Sequence, residues 1–265
     1  MTDNINELEL AIQAARVAGD FLRQQYYQPH SVRMKSAIEV VTEVDGQTER
    51  LIAELLRAGT PDNGFYGEEG KRDVPQAGQA IWVVDPIDGT TNFVRHIPVF
   101  AVSIGLVVDG EAVIGVVYQP MLDELFTAVK GKGAQLNGKP VHVSQTPSLS
   151  QALVGAGFPY NAWDSELDNV TQWGRAVKTA FGVLSNGVAA LGLCDVAAGR
   201  LDGYWELRVF PWDIAAGAVI VTEAGGKISD RQGGKFDPFG TSIIADNGLI
   251  HEQLVNLVAG NGKVK

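Results

Sequence analysis

Apolar residues first recur at helical spacing between residues 5 and 27, where Leu8, Ile12, Ala15, Phe21 and Leu22 fall near one face. From Gln28 to Val44 the period is lost, and the segment reads as a loop followed by a short strand. TERLIAELLRAG (48–59) restores the helical pattern and closes on Gly59. NGFYGEEG suggests a short strand ending in Glu68 and Glu69, and AIWVVDP is a β-rich run stopped by Pro86. Two apolar strands follow, AVSIGLVV and AVIGVVY, joined through Asp109 and Gly110, a strong hairpin signal. ELFTAVKGKGAQLNGKPVHV continues the antiparallel pattern through glycine turns.

The second half is patterned differently. ALVGAG reads as a strand, residues 165–180 as a helix, GVAALGLCDVAAG as a buried helix and DGYWEL as a strand. PWDIAAGAVIVTEAGG has a proline near its start and a Gly-Gly stop, as a helix should. A last strand, TSIIA, precedes the helix IHEQLVNLVAG. Strands and helices interleave, with hairpins in the middle of the first half. That favours stacked α and β layers over a doubly wound parallel sheet. SQTPSLS (144–150) is a soft boundary between the halves, and no fixed-period repeat is present.

Composition narrows the class. With 265 residues, 45% of them apolar, the chain can bury a substantial core, and no stretch is apolar enough to span a bilayer. The N-terminus lacks a basic segment followed by an apolar one, so a secretory signal is not expected and a cytoplasmic location is. Cys194 is the only cysteine, which excludes an internal disulfide. A net charge of −10 without a Lys/Arg cluster argues against direct nucleic-acid binding.

The acids then become the question. Asp45, Glu68, Asp85 with Asp88, and Asp213 sit at predicted strand or helix ends, where loops carry chemistry on a rigid scaffold. An unpaired buried carboxylate is costly, so a gathered set would have raised pKa values unless cations occupy it. Oxygen-only ligands favour Mg²⁺ or Mn²⁺. His30, His96, His142 and His251 are scattered without zinc-type spacing. His96 reads first as an exposed loop residue and second as a group supporting the site beside Asp88, and Cys194, in an apolar helix, as an inert core thiol. After Asp88, Gly89 permits a tight turn, and Thr90 and Thr91 begin a short helix whose first amides suit a phosphate. Taken alone, DPIDG is as well read as an ordinary Asp/Pro/Gly turn.

Four stretches in order decide between these readings: VVTEVD (40–45), GEE (67–69), WVVDPIDGTTNF (82–93) and WDIAAGAVIVTEAGG (212–226). The series closely resembles the inositol monophosphatase family of lithium-sensitive, magnesium-dependent phosphatases, over nearly the whole chain. The resemblance implies an α/β fold, an αβαβα layered sandwich of the inositol monophosphatase/fructose-1,6-bisphosphatase type, usually as a homodimer. It implies a first Mg²⁺ on Glu68, Asp85 and the carbonyl of Ile87, and a second on Asp85, Asp88 and Asp213. A third, weaker ion would sit mainly on water and Glu68, near the family's mobile loop, which here bears Lys35. Thr90 and Asp45 match the pair that orients and deprotonates the attacking water, with Glu69 in support. Gly89 and Thr90 would cradle the phosphate, while Glu206 and the backbone around Gly187–Ala189 would bind substrate hydroxyls.

Spacing agrees with that division. Asp85 and Asp88, separated by the stiff Pro86, can converge on one side of a turn, and Asp85 can bridge two ions. No serine, cysteine or histidine is placed as a nucleophile, so in-line attack by metal-activated water is the economical mechanism. The expected enzyme is a Mg²⁺-dependent phosphomonoesterase acting on inositol monophosphates or similar polyol or sugar phosphates. It is one catalytic unit over 1–265, softly divided into 1–147, with the metal motifs, and 148–265, with the substrate-binding part and Asp213. Fructose-1,6-bisphosphatase, histidinol-phosphatase and adenosine 3′,5′-bisphosphate phosphatase are the alternatives in the superfamily, and a regulatory scaffold of RNA machinery is the alternative outside it. The chain departs from the family's habit at Leu184 and Val188, where an arginine and a hydroxyl are usual, and at Glu39, where aspartate is usual. Those departures bear on substrate choice and assembly.

Overall fold

The computed structural model describes residues 3–34, 40–70, 72–74, 76, 78–159, 162–164 and 167–260. Lys35 and Glu39 lie outside them.

Helix α1 (Asp3–Gln25) buries Ala11, Ala14, Ala15, Ala18 and Leu22, an i, i+3, i+4, i+7 stripe of small residues that lets it lie close to its neighbours. Where one short strand was expected, β1 (Val32–Met34) and β2 (Val40–Thr42) pair antiparallel. Helix α2 (Glu43–Gly59) begins five residues before the expected start. Thr42 caps it: its Oγ1 accepts from Val44 N at 3.1 Å, and the Asp45 carboxylate accepts from Thr42 N at 2.8 Å. This is a capping box with aspartate in the return position, and it draws the helix back to Glu43.

Next come β3 (Gly64–Gly67), β4 (Ala80–Asp88) and the short helix α3 (Thr90–Val94). The hairpin strands are β5 (Ala101–Val108), β6 (Glu111–Gln119), β7 (Glu124–Val129), β8 (Ala134–Leu136) and β9 (Lys139–Pro140). They form a seven-stranded sheet in the order β3-β4-β5-β6-β7-β8-β9, with β3 and β4 parallel and the other pairs antiparallel. The expected turn at Asp109–Gly110 joins β5 to β6, both residues at positive φ.

The second half contributes β10 (Leu153–Ala156), α4 (Val170–Val177), β11 (Gly182–Leu184) and α5 (Ala189–Ala197). It continues with β12 (Gly203–Leu207), α6 (Pro211–Glu223), β13 (Lys227–Ser229), β14 (Ser242–Asp246) and α7 (His251–Ala259). Its five-stranded sheet runs β11-β10-β12-β14-β13. The helix expected over 165–180 is shorter. Asn169 takes a left-handed φ of 65° and donates its side-chain amide to Gly157 O at 2.7 Å, so the regular helix starts only after it. The edge strands β11 and β13 are three residues long, too short to show a period.

Five layers result: α1 and α2, the seven-stranded sheet, α5 and α6, the five-stranded sheet, then α4 and α7. This is the αβαβα arrangement that the resemblance implied. The central helix layer lies unusually close to the larger sheet. Gly105 and Gly115 face each other across β5 and β6, directly under α6. A Cβ on Gly115 would stand 2.2 Å from Ala216 O, and one on Gly105 3.1 Å from Ala215 Cβ. The two glycines thus make a notch in which the backbone of α6 rests.

Candidate active site

At its end β4 breaks register against β5: Asp85 pairs with Ser103 and Asp88 with Ala101, so β4 spends one residue more than its partner. That bulge accommodates Pro86, whose missing N–H a regular ladder would require, and brings both aspartates to one end of the sheet. Ile87 N donates to Asp85 Oδ1 at 2.9 Å. Asp88 reaches into the other half of the chain, where Ala190 N, in the first turn of α5, donates to its Oδ2 at 2.7 Å. Asp213 is the third residue of α6, and Phe210 N donates to its Oδ2 at 2.7 Å. Phenylalanine has no side-chain acceptor, so this is only the return half of a capping box. The start of α6 is tied down by Ser103 Oγ, which donates to Trp212 O at 3.0 Å. Ser103 is the register partner of Asp85, so the two aspartates are held through one residue.

Glu68 follows β3, and its N–H donates to Val84 O at 3.2 Å. Two residues that the sequence reading passed over fasten this loop. Glu49, buried on α2, accepts from Glu69 N at 2.8 Å. Arg72 donates to Glu68 O at 2.8 Å and lies over the Trp212 ring at 4.5 Å. No spacing rule points to either.

Asp45 and Thr90, far apart in sequence, meet inside. Thr42 Oγ1 and N hold Asp45 Oδ2 at 2.7 and 2.8 Å, and Thr90 Oγ1 stands 2.9 Å from Asp45 Oδ1. Thr90 Oγ1 is also 3.1 Å from Ile87 O, so its one proton has two acceptors. Burial raises the Asp45 carboxyl above its ordinary value, the Thr42 and Thr90 hydrogen bonds oppose this, and the charge of Glu69 adds to it. Gly89 before Thr90 has φ 97°, and a Cβ there would stand 2.8 Å from Val188 Cγ2, so the turn needs glycine twice over.

These groups open on a cleft of about 1270 Å³. Glu68, Asp85, Ile87, Asp88, Gly89, Thr90, Gly187, Ala189, Glu206 and Asp213 all line it, whereas Asp45 sits behind Thr90, 1% exposed. Leu184, by contrast, is exposed on β11 outside the cleft lining, and Val188 is buried beneath Gly89. His96 is exposed and Cys194 buried, both as expected. Asn92 joins the two loops of the cleft, its side-chain amide donating to Val99 O at 2.8 Å and to Asn186 O at 2.9 Å. Glu206 accepts a hydrogen bond from Tyr204 Oη, and burial pushes its carboxyl up to about 7. A Cβ on Gly157 would fall 2.2 Å from Glu206 Cδ, so Gly157 is what leaves that carboxylate its place.

The electrostatics follow from crowding. Burial, then the charges of Glu68, Asp88 and Asp213, push the Asp85 carboxyl well above the usual carboxylate range. Burial and then Asp88 do the same to Asp213. Asp88 is raised by burial, against the amides of Ala190 and Ala189, with Glu206 and Glu68 adding to the rise. Among the described residues no three His, Cys, Asp or Glu side chains are grouped so that they could hold a metal ion as they stand, and Asp85, Asp88 and Asp213 each turn one oxygen to a backbone amide. The donor chemistry nevertheless fits hard divalent cations: carboxylate and carbonyl oxygens line one cleft, and Arg208 is the only cationic side chain among its described lining residues.

Residues 3–262 match the model of the inositol monophosphatase family. Inositol monophosphatase 2 of Solanum lycopersicum is 40% identical over 94% of this chain and 96% of its own. Nus factor SuhB of Salmonella typhimurium is 39% identical over 91% of each chain. The structure of inositol monophosphatase from Anabaena superposes with a TM-score of 0.87 at 34% identity, covering 97% of this chain and 96% of that one. With the layer order and the acidic cleft already in place, these likenesses extend from end to end, and the chain belongs to the inositol monophosphatase family of phosphatases.

Proposed function

We propose that this phosphatase hydrolyses inositol monophosphates or similar small polyol and sugar phosphates with Mg²⁺, for which Mn²⁺ can substitute. The observation that carries the reading is the hydrogen-bonded Asp45–Thr90 pair standing behind a cleft lined by Glu68, Asp85, Asp88 and Asp213. Those four carboxylates and the Ile87 carbonyl are the groups that would hold the metal. Divalent cations bound there would neutralise the ester oxygens and acidify water.

The chain's own residues account for the rest. When Thr90 donates to Asp45 Oδ1, its own oxygen is left to accept a hydrogen bond from water and fix that water's direction. As the water oxygen attacks phosphorus, the water proton passes to Thr90 and the Thr90 proton to Asp45. The P–O ester bond breaks with its electron pair going to the leaving oxygen, which takes a proton from solvent in the open cleft and departs as the alcohol. Thr42 keeps the other Asp45 oxygen occupied, so the acceptor does not rotate away. The raised pKa of Asp45 makes it a better proton acceptor than an exposed aspartate. Gly89 lets the turn approach the phosphate without a side chain in between. Glu206, with one oxygen held by Tyr204, offers the other to substrate hydroxyls, beside the backbone of Gly187 and Ala189.

Phosphate release from inositol 1-phosphate, glycerol 2-phosphate, fructose 1,6-bisphosphate, histidinol phosphate and adenosine 3′,5′-bisphosphate tests the proposal. Turnover should require Mg²⁺, be blocked by Li⁺, and fall by ~10³-fold or more in Asp88→Asn. Full activity in that variant or in excess chelator would refute it.

A further inference from the structure

Arg208 lines the same cleft but has no part in the mechanism above. It follows β12, two residues beyond Glu206, with φ 62°. Among the described residues six non-glycines have positive φ, and the other five are His96, Asp109, Asp123, Asn137 and Asn169. Aspartate, asparagine and histidine are the types enriched in that region, because a short polar side chain can satisfy the local backbone. Arginine has no such compensation, and glycine would make this turn without strain. The backbone does not need an arginine here, so its place is explained by the side chain.

That side chain is exposed. Its guanidinium makes no hydrogen bond, ion pair or ring contact among the described residues. Around it the cleft is acidic, with Glu68, Asp85, Asp88, Glu206 and Asp213 on its walls. The cleft, about 1270 Å³, also exceeds the ~300–1,000 Å³ of an ordinary small-molecule pocket. Arg208 N donates to Thr241 O at 2.7 Å, another lining residue, and a ligand in the cleft would meet Arg208 as the only cation on the described walls. A planar fork of N–H donors is suited to a phosphate.

We propose that Arg208 binds a second phosphate on the substrate, so that the cleft prefers small bisphosphates over monophosphates of similar size. This rests on the hydrolytic reading above and adds to it a residue that sets specificity. A contact to a phosphate that does not react is made equally before and during the reaction, so it acts through KM.

The test compares fructose 1,6-bisphosphate with glycerol 2-phosphate in Mg²⁺. In Arg208→Gln the ratio of their kcat/KM values should fall roughly tenfold or more, mainly through KM for the bisphosphate. Arg208→Lys, which keeps the charge and loses the fork, should fall between. Arg208→Gly should show the same loss of preference while melting at a higher temperature, since glycine relieves the left-handed turn. A ratio that stays within ~2-fold in Arg208→Gln would overturn the proposal. If the unaltered protein releases phosphate from neither compound, the hydrolytic reading stands or falls on the five esters above, and calorimetric binding of fructose 1,6-bisphosphate decides on Arg208. Weaker binding in Arg208→Gln supports the site, and equal binding removes it.

Discussion

Thr90 has one hydroxyl proton and two acceptors, Asp45 Oδ1 at 2.9 Å and Ile87 O at 3.1 Å. In the proposed mechanism, donation to Asp45 is what gives the Thr90 proton a destination. Thr90→Ser keeps the hydroxyl and should retain most of kcat. Thr90→Ala should lose ~10²–10⁴-fold in kcat with little change in folding, as measured by steady-state rates and circular dichroism. Equal activity in the two variants would remove Thr90 from the proton path. Glu206 yields a prediction of another kind. Its carboxyl, normally near 4.5, is pushed up to about 7 by burial, so the folded state binds a proton that the unfolded state has lost in the window between. Folding is therefore favoured at low pH and weakened as pH rises through about 7. Glu206→Gln, which still accepts from Tyr204, removes that penalty. It should raise the melting temperature at pH 8 and leave it nearly unchanged at pH 4, the ionised carboxylate costing up to ~3 kcal/mol above pH 7.

At the scale of elements, the position of Asp213 depends on how α6 is seated. The helix rests in the Gly105–Gly115 notch, and its first turn is tied to β5 through Ser103 and Trp212. A methyl at position 115 meets a backbone carbonyl, which cannot swing aside as a side chain can. Gly115→Ala should therefore push α6 off the sheet and cost ~1–3 kcal/mol, read as a lower denaturation midpoint. Because Asp213 rides on that helix, activity should fall even at temperatures where the variant is fully folded. Normal turnover in a folded Gly115→Ala protein would show that α6 can shift without consequence.

For the molecule as a whole, the amino-acid pattern carried most of the elements, by helical period in α1 and α2 and by bounded apolar runs in β4, β5, α5 and α6, while the order of the layers came from the family resemblance. It also carried Asp85, Asp88 and Asp213 to one region, since Gly89 marks the end of β4 and Pro211 the start of α6, although β4 runs through Pro86 by a bulge instead of stopping there. It placed Asp45 at an element end, which is the first turn of α2, but put the start of that helix at residue 48, although Thr-x-x-Asp before an apolar helix is itself a capping signal. Gly157, Asn92, Glu49 and Arg72 were not legible. Their importance lies in what a Cβ would strike or which distant amide or carbonyl they reach, and neither quantity exists until the chain is folded. Arg208 was hidden for a similar reason, since sequence shows the residue type without its backbone angle.

The hydrogen bond from Ala190 to Asp88 and the seating of Asp213 beside Asp85 have a consequence for how this protein is made. During synthesis, the stretch with Asp85 and Asp88 leaves the ribosome well before α5 and α6 exist. Until they arrive, Asp88 lacks its amide donor and Asp85 its acidic neighbour from the second half. Nascent chains and prematurely terminated products therefore contain most of the motif that marks the family but not the assembled site. The site is thus a property of the finished fold, completed only when α5 and α6 are in place.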